Sequence, residues 1–496
     1  MKTTEFTTRL WLLMVVAPCL LAQGQNAPAV APRPNFVFII GDDISAEDFG
    51  CYGNAGIKTP HIDRLAAESL RFTNGYLTIS SCSPSRCSFL TGRYPHNLET
   101  ASELHGVLPP GVAMFPQLLR AAGYFSAQAG KTHFGDDWNA VTGPAVAAFD
   151  VGSASKEGAG PGGAGQWIER LRTRPAGRPF FMWFAAHDAH RPFGANKFAG
   201  ANRPQDVRVP PYLIDTPETR RDLADYYDEI TRFDDAVGEV VRELARQGVL
   251  DNTVIIVTSD NGRPFPHSKT QLYDDGIKMP LIIRWAPGGL KPRRTEALAS
   301  AIDVAPTILE LAGVPKAPTI QGVSLVPVLK DPRATVRDVV FAEHNWHNFA
   351  AHLRLVRMGR DVYLRNAWPD LPLDGTRDSP SANDLRLARA AGKLTPLQEN
   401  IFIAPRPAEE FYDLAADPLQ AHNIVGTVDP ARLNRMRALL DRWASETGDS
   451  IPSVSERTPS DTDYVTGKKP GGFKRGQAPG VSTRAAQINR SGPVRN

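Results

Sequence analysis

The sequence predicts an α/β sandwich with a mostly parallel central sheet, followed by a small C-terminal α+β domain, and three observations carry that prediction. The unbroken apolar runs Asn35-Phe36-Val37-Phe38-Ile39-Ile40, Pro179-Phe180-Phe181-Met182-Trp183-Phe184-Ala185-Ala186 and Thr253-Val254-Ile255-Ile256-Val257-Thr258-Ser259 have the composition of strands covered on both faces. Helical segments separate them, as the crossovers of a parallel sheet require. Each run also stops abruptly at a polar cluster: Gly41-Asp42-Asp43, His187-Asp188-Ala189-His190 and Asp260-Asn261-Gly262. Ligands of such sheets gather beyond the carboxyl ends of the strands, so the three clusters predict one site.

In chain order, residues 1–22 come first. Lys2 and Arg9 precede the apolar run Leu10–Ala17, and Ala22 is a small residue for cleavage, the pattern of a secretory leader. A bilayer span needs about 20 apolar residues, so the run is too short for one. Pro18 argues against lipidation of Cys19. The expected destination is secreted or periplasmic. Residues 23–34 read as a Pro/Ala linker and 35–334 as the catalytic domain. Within it, the Gly, Ala and Ser of 151–165 read as a flexible surface loop. A helix is expected over 216–247, with Thr216 as N-cap, Pro217 in the first helical position and Gly248 as the stop. Leu223, Tyr226, Tyr227, Ile230, Phe233, Val237, Val240, Val241 and Leu244 recur along it at three- and four-residue steps, which is one buried face.

Residues 335–454 read as the small domain, with strands at 353–357 and 361–364 and a helix near 430–446. Beyond 455 the chain is polar, rich in Gly and Pro, and basic after Asp463, the composition of a disordered tail. The 496 residues exceed the ~250–300 at which a single core stops growing, in keeping with two folded units. An apolar fraction of 42%, a charged fraction of 22% and a net charge of +3 suit a soluble enzyme and carry no nucleic-acid signature. No later segment reads as transmembrane. Cys51 and Cys87, left beside Cys82 in the mature chain, are too few for a disulfide-built fold, and whether they pair is open.

The most specific pattern is Cys82-Ser83-Pro84-Ser85-Arg86 with Thr91-Gly92-Arg93 behind it. A zinc site would need a second cysteine cluster. An inert buried thiol leaves Pro84, Arg86 and the Thr-Gly-Arg unexplained. Cys82 therefore reads as the precursor of a nucleophile. Asp42, Asp43, Asp260 and Asn261 offer hard oxygen ligands from two strand ends, which suits Ca²⁺ and, second to it, Mg²⁺. Alone, Asp42-Asp43 would be a solvated cap. Gly130-Lys131-Thr132-His133-Phe134-Gly135 sets an ammonium and an imidazole two residues apart between glycines. His190 and Lys269 are further cationic candidates. Asp188, Arg191, Glu343, His344 and His347 are candidates for reading the substrate, although His344 and His347 share an aromatic stretch with Trp346 and Phe349 that packing would also explain.

Over roughly residues 35–450 these motifs resemble the type I sulfatase family, with Ala189 where the family has proline. The resemblance implies an alkaline-phosphatase-like fold and conversion of Cys82 to formylglycine by a formylglycine-generating enzyme, the hydrated aldehyde attacking sulfur. It implies a metal held by Asp42, Asp43, residue 82, Asp260 and Asn261. Arg86, Lys131, His190 and Lys269 would bear the charge of the sulfuryl oxygens, His190 or Lys269 protonating the leaving group. His133 would remove the second geminal proton so that sulfate leaves. Ser80–Arg86, His187–Arg191, Thr258–Pro266 and Trp443–Thr447 resemble the heparan N-sulfatase (sulfamidase) branch, with Lys269 in place of its arginine. The expected activity is removal of sulfate from a sulfated carbohydrate, with N-sulfoglucosamine of a heparan- or heparin-type glycosaminoglycan as leading substrate. The alternatives are an O-sulfatase on another sulfated polysaccharide, a phosphonate or phosphodiester hydrolase, and a non-catalytic sulfated-glycan binder with an unmodified thiol.

Overall fold

The long apolar runs lie side by side in the middle of the molecule. A computed structural model describes residues 1, 33–133, 148–154, 162–194, 201–286, 293–371, 379–461, 469 and 471–495. The expected leader and nearly all of the linker lie outside the described residues, as do Phe134 and Gly135 of the lysine–histidine motif. Eight strands form the large sheet: β1 (Asn35–Gly41), β2 (Leu70–Tyr76), β3 (Phe125–Gly130), β4 (Val151–Ala154), β5 (Phe180–Ala185), β6 (Thr253–Ser259), β7 (Leu281–Trp285) and β8 (Arg293–Ser300). Their order is β4-β3-β5-β1-β6-β7-β2-β8. β7 pairs antiparallel with both neighbours, and the other pairings are parallel.

β1 sits between β5 and β6, with Phe38 opposite Trp183 on one side and Ile256 on the other. Alternation of side chains along a strand then divides it between two cores. Phe36, Phe38 and Ile40 join one and Val37 and Ile39 the other. Phe38 stacks on Trp183 at 4.6 Å between ring centroids, and on the opposite face Phe184 stacks on Trp167 at 5.3 Å. The helix Pro217–Arg246 covers that opposite face. Its N-cap Thr216 accepts from the Thr219 amide at 3.0 Å, and its expected apolar stripe is buried except for a half-buried Val241. The helix Cys82–Thr91 lies on the first face, sending Phe89 and Leu90 into the core.

A second, antiparallel sheet is built from β9 (Val339–His347), β10 (Phe349–Met358), β11 (Asp361–Asn366) and β12 (Glu409–Asp413), in the order β12-β11-β10-β9. The C-terminal helix Pro430–Thr447 packs on it through Trp443, stacked on Phe341 at 5.1 Å. Val340, Ala342, Leu353 and Leu355 enter the core of the large sheet, so residues 33–496 are one compact unit. No described helix is long and apolar enough to cross a membrane. Cys51 and Cys87 are both free thiols.

Two expectations are corrected. Val151–Ala154 is a strand paired with β3 rather than part of a surface loop; its backbone finds a sheet edge that Gly-rich composition does not advertise. The described part of the tail is ordered against the body. Arg93, fully buried, donates to the carbonyls of Ala486 and Ile488 at 3.0 Å each and to Asn489 Oδ1 at 2.9 Å. Asn97 donates to Ala485 O at 2.7 Å, and the Asp338 amide to Val494 O at 2.9 Å. These contacts use tail backbone, which composition does not report. They also explain the Thr-Gly-Arg triplet: Gly92, at φ +64°, ends the helix with its amide on Ser88 O, and Arg93 holds the tail. Arg93→Ala should lower the unfolding free energy by about 3 kcal/mol, since several part-buried carbonyls lose a charged donor and the pocket of a buried side chain is emptied. It should also open residues beyond 470 to proteolysis. Urea unfolding with limited digestion checks both, and undiminished resistance would count against this anchoring role.

Candidate active site

The carboxyl ends of β1, β5 and β6 are laced together by backbone. The Asp42 amide donates to Asp188 O at 2.7 Å and the Ala189 amide to Asp42 O at 2.6 Å, joining the ends of β1 and β5. The Asp43 amide donates to Asp260 Oδ1 at 3.2 Å, joining β1 to the end of β6. Tyr226 of the long helix donates to Asp43 O at 2.9 Å. Asp43 itself has φ +60°, a left-handed conformation that a non-glycine residue keeps only when its surroundings enforce it. Opposite these ends the helix Cys82–Thr91 begins, with Cys82 in its first turn and 1% exposed.

Around Cys82 three buried carboxylates meet three buried cations. Arg86 reaches Asp260 Oδ2 at 2.8 Å from Nε and 2.7 Å from Nη2, with Asp42 Oδ1 at 3.7 Å. Lys131 is paired with Asp42 Oδ2, and Lys269 Nζ with Asp43 Oδ2 at 2.7 Å. Lys131 is delivered by Gly130, whose φ of +101° and position against Ala185 O, 1.8 Å from where a Cβ would sit, admit no side chain. Burial pushes the Asp42 carboxyl up, but Lys131 and His190 outweigh it and hold the group below its ordinary value. Burial pushes the Cys82 thiol far above its ordinary range, with Lys269 and Lys131 pulling the other way. As a thiol, residue 82 is therefore protonated at neutral pH and a poor nucleophile. His133 is held well below the usual imidazole range by burial, then by Lys131 and His105, so it is neutral and able to accept a proton.

The donor set fits a hard divalent cation. Ligand atoms of Asp42, Asp43, Cys82 and Asp260 all lie within 4.8 Å of one another. Asp42 Oδ1 and Asn261 Oδ1 are buried and accept no hydrogen bond, an arrangement that a cation's charge would satisfy. Asn261 donates its amide to Asp43 Oδ1.

The structure brings Asp42, Asp43, Cys82, Arg86, Lys131, Asp260, Asn261 and Lys269 into this one cluster. His190 stands at its rim, Nε2 3.9 Å from Asp43 Oδ2 and its side chain 26% exposed. His133 contacts His105 at 2.9 Å. His347 lies beside the start of the nucleophile helix, Nδ1 2.8 Å from Ser81 Oγ.

Three substrate-reading candidates have partners within the protein. Asp188 is paired with both Nε and Nη2 of Arg232, Arg191 with Asp222 at 2.7 and 2.8 Å. Glu343, wholly buried, serves His96 at 2.9 Å and Asn345 at 3.0 Å. Pairing offsets the cost of burying each of these ions. His344, 4% exposed in β9, is a packed residue. Sequence reading missed His105 and the apolar cluster of Leu104, Trp346, Ala350 and Trp368 that adjoins Cys82. No motif surrounds His105, and the two tryptophans come from distant strand ends. Glu343→Ala should cost about 3 kcal/mol of stability by depriving His96 and Asn345 of their buried acceptor, with little effect on KM. Urea unfolding beside steady-state kinetics checks this, and a tenfold rise in KM at unchanged stability would return Glu343 to the substrate.

Comparison with known proteins agrees with this geometry. The sulfatase family model matches residues 34–153 and 164–314. Human N-sulphoglucosamine sulphohydrolase is 31% identical over 88% of this chain and 94% of its own length. An ulvan-active sulfatase of Formosa agariphila is 29% identical over 84% of this chain and 76% of its own. Among solved structures, a protein in complex with its substrate D-glucosamine-2-N,6-O-disulfate superposes with a TM-score of 0.64 at 22% identity, covering 83% of this chain and 98% of the other. With the nucleophile helix, the acidic strand ends and the basic partners all lying within the matched residues, the chain belongs to the sulfatase family.

Proposed function

We propose that this sulfatase removes sulfate from N-sulfoglucosamine of heparan- or heparin-type glycosaminoglycans, after export to a secreted or periplasmic location. The observation that carries the catalytic reading is the buried Cys82 at a helix start, ringed by Arg86, Lys131 and Lys269 and faced by three carboxylates. Oxidation of Cys82 by a formylglycine-generating enzyme would supply an aldehyde whose hydrate attacks sulfur. Asp42, Asp43, residue 82, Asp260 and Asn261 would hold Ca²⁺, which supplies Lewis-acid stabilisation of the sulfuryl charge and of the nucleophile.

The chain's own residues do the rest. Lys131 and Lys269 are fixed by salt bridges to Asp42 and Asp43, so their ammonium groups are positioned before substrate arrives and lose little on binding it. Arg86 is held by Asp260 and Asp42 and contributes charge at a fixed place. His190, partly exposed at the rim, would protonate a departing nitrogen or oxygen. His133, neutral at working pH, takes the hydroxyl proton of the nucleophile as sulfate leaves.

Support for the narrower substrate is the human relative, matched over 94% of its length, together with the local runs around Cys82, His187 and Asp260. Support for export is the leader pattern in residues 1–22. A second reading, an O-sulfatase on another sulfated polysaccharide, is favoured by the similarity to the ulvan-active enzyme and by Lys269.

Protein made with a formylglycine-generating system should release sulfate from N-sulfoglucosamine in a panel of defined heparin-type saccharides, with conversion at residue 82 checked by mass spectrometry. Release only from O-sulfated sugars would replace the narrower substrate with the second reading. Cys82→Ala should abolish turnover while the circular dichroism spectrum and melting temperature stay near those of the parent; retained turnover would sink the mechanism. Chelation should silence the enzyme, and Ca²⁺ should restore it better than Mg²⁺. Equal restoration by the two would overturn the choice of ion.

A further inference from the structure

We propose that His105 is a positioning residue for His133, holding that ring in the tautomer whose Nδ1 is bare, an inference that rests on the sulfatase reading of the site. His105 Nδ1 lies 2.9 Å from His133 Nε2, with the ring centroids 4.7 Å apart. One of the two nitrogens must donate and the other accept. His133 Nδ1 is buried and has no hydrogen-bond partner. A proton on it would be an orphaned buried N–H, among the costliest unpaired groups, whereas a lone pair there is tolerated. Burial, then Lys131, His105, Arg86 and His190, keeps the His133 ring neutral, so it carries a single N–H to place. His133 therefore donates its Nε2–H to His105 Nδ1. His105, an exposed residue, then carries its own proton on Nε2.

The backbone is arranged to hold this pair. His105 has φ +58° and His133 φ +50°, two left-handed non-glycine residues meeting ring to ring. Three separate parts of the fold pin the segment that carries His105. Its own amide donates to Ser83 Oγ at 2.8 Å, on the nucleophile helix. The Leu104 amide donates to Trp346 O at 3.1 Å, in β9. Arg475 of the tail donates to Leu104 O at 2.7 Å and pairs with Glu103 at 2.6 Å, and Thr458 donates to the same carboxylate at 2.8 Å. The packed tail thus has a function: it fixes the loop that orients His133.

An imidazole at this place differs from the carboxylate that often backs a histidine base. A carboxylate would favour the charged ring, while a neutral acceptor fixes the tautomer and leaves His133 neutral until it works. The proton step balances within this arrangement. As the O–H bond of the hemiacetal sulfate breaks, its electron pair forms the aldehyde C=O, and the C–O bond to sulfate breaks, sulfate leaving with the pair of that bond. The proton forms a new N–H bond at His133 Nδ1, and the Nε2–H stays on His133. The bond to His105 becomes charge-assisted and no proton passes to His105.

His105→Ala should lower kcat by about ten- to a hundredfold with KM within about twofold, the scale on which losing a ring-orienting partner acts. His105→Asn, whose side-chain oxygen can accept the same bond and whose backbone tolerates a positive φ, should recover most of the loss. Unchanged kcat in the alanine variant, or an asparagine variant no better than alanine, would overturn the proposal. A readout without turnover comes from ¹⁵N NMR of histidine-labelled, unsubstituted protein. It should show His133 protonated at Nε2 and bare at Nδ1 near neutral pH, and the opposite tautomer would refute the assignment even if the variants fail to fold. Complete absence of sulfate release by the unsubstituted protein would count against the sulfatase reading instead, with the tautomer still decided by NMR.

Discussion

The buried pairing of Arg86 with Asp260 and Asp42 is the contact on which the site depends. Its guanidinium has no exposed surface, and neither carboxylate has any. Such charges leave water only if their partners are in place, because removing one partner strands the other at a cost of several kcal/mol. Arg86 stands one turn into the helix that begins at Cys82, Asp260 at the end of β6 and Asp42 at the end of β1. The pairing therefore fixes the nucleophile's helix relative to two central strands. Lys131 and Lys269 extend the same balance to Asp42 and Asp43 from β3 and from the segment after β6. Three acids and three bases thus neutralise one another in a buried space, and each is held in place by its partners.

That interior is closed by parts of the chain far away in sequence. Arg93 and Arg475 both reach the tail or come from it, one holding the carbonyls of Ala486 and Ile488 and the other clamping the loop beside Cys82. Phe473 lies against Trp346, which adjoins the nucleophile through a shared apolar cluster. The small sheet is likewise no appendage, since its inner residues enter the core of the large sheet. The surroundings of residue 82 are drawn from the large sheet, the small sheet and the tail.

How far the sequence could be read follows from what each feature requires. The three central strands were legible because a strand covered on both faces must be apolar along its whole length, and β1, β5 and β6 are. The long helix was legible because its burial repeats with the helical period and its ends carry capping residues. β4 was not, because a short edge strand is held by backbone pairing and leaves no side-chain pattern. The tail was not, because it is bound through its carbonyls. Among site residues, those inside short motifs were legible and those acting through a partner were not. Asp188, Arg191 and Glu343 look like free charges in a string of letters, and their partners Arg232, Asp222 and His96 lie 44, 31 and 247 residues away.

The sequence by itself determined the chemistry available: a cysteine in a Cys-Ser-Pro-Ser-Arg frame, acids and amides at the ends of apolar strands, and lysine and histidine set between glycines. It also determined the α/β class, because periodicity and apolar runs are local properties. Only the tertiary structure decided which charges gather around residue 82 and which pair elsewhere, that the described part of the tail packs on the body, and that His105 meets His133. Those outcomes depend on through-space distances between residues remote in the chain, and electrostatic pairing and hydrogen bonding act on distance and burial, which only folding sets.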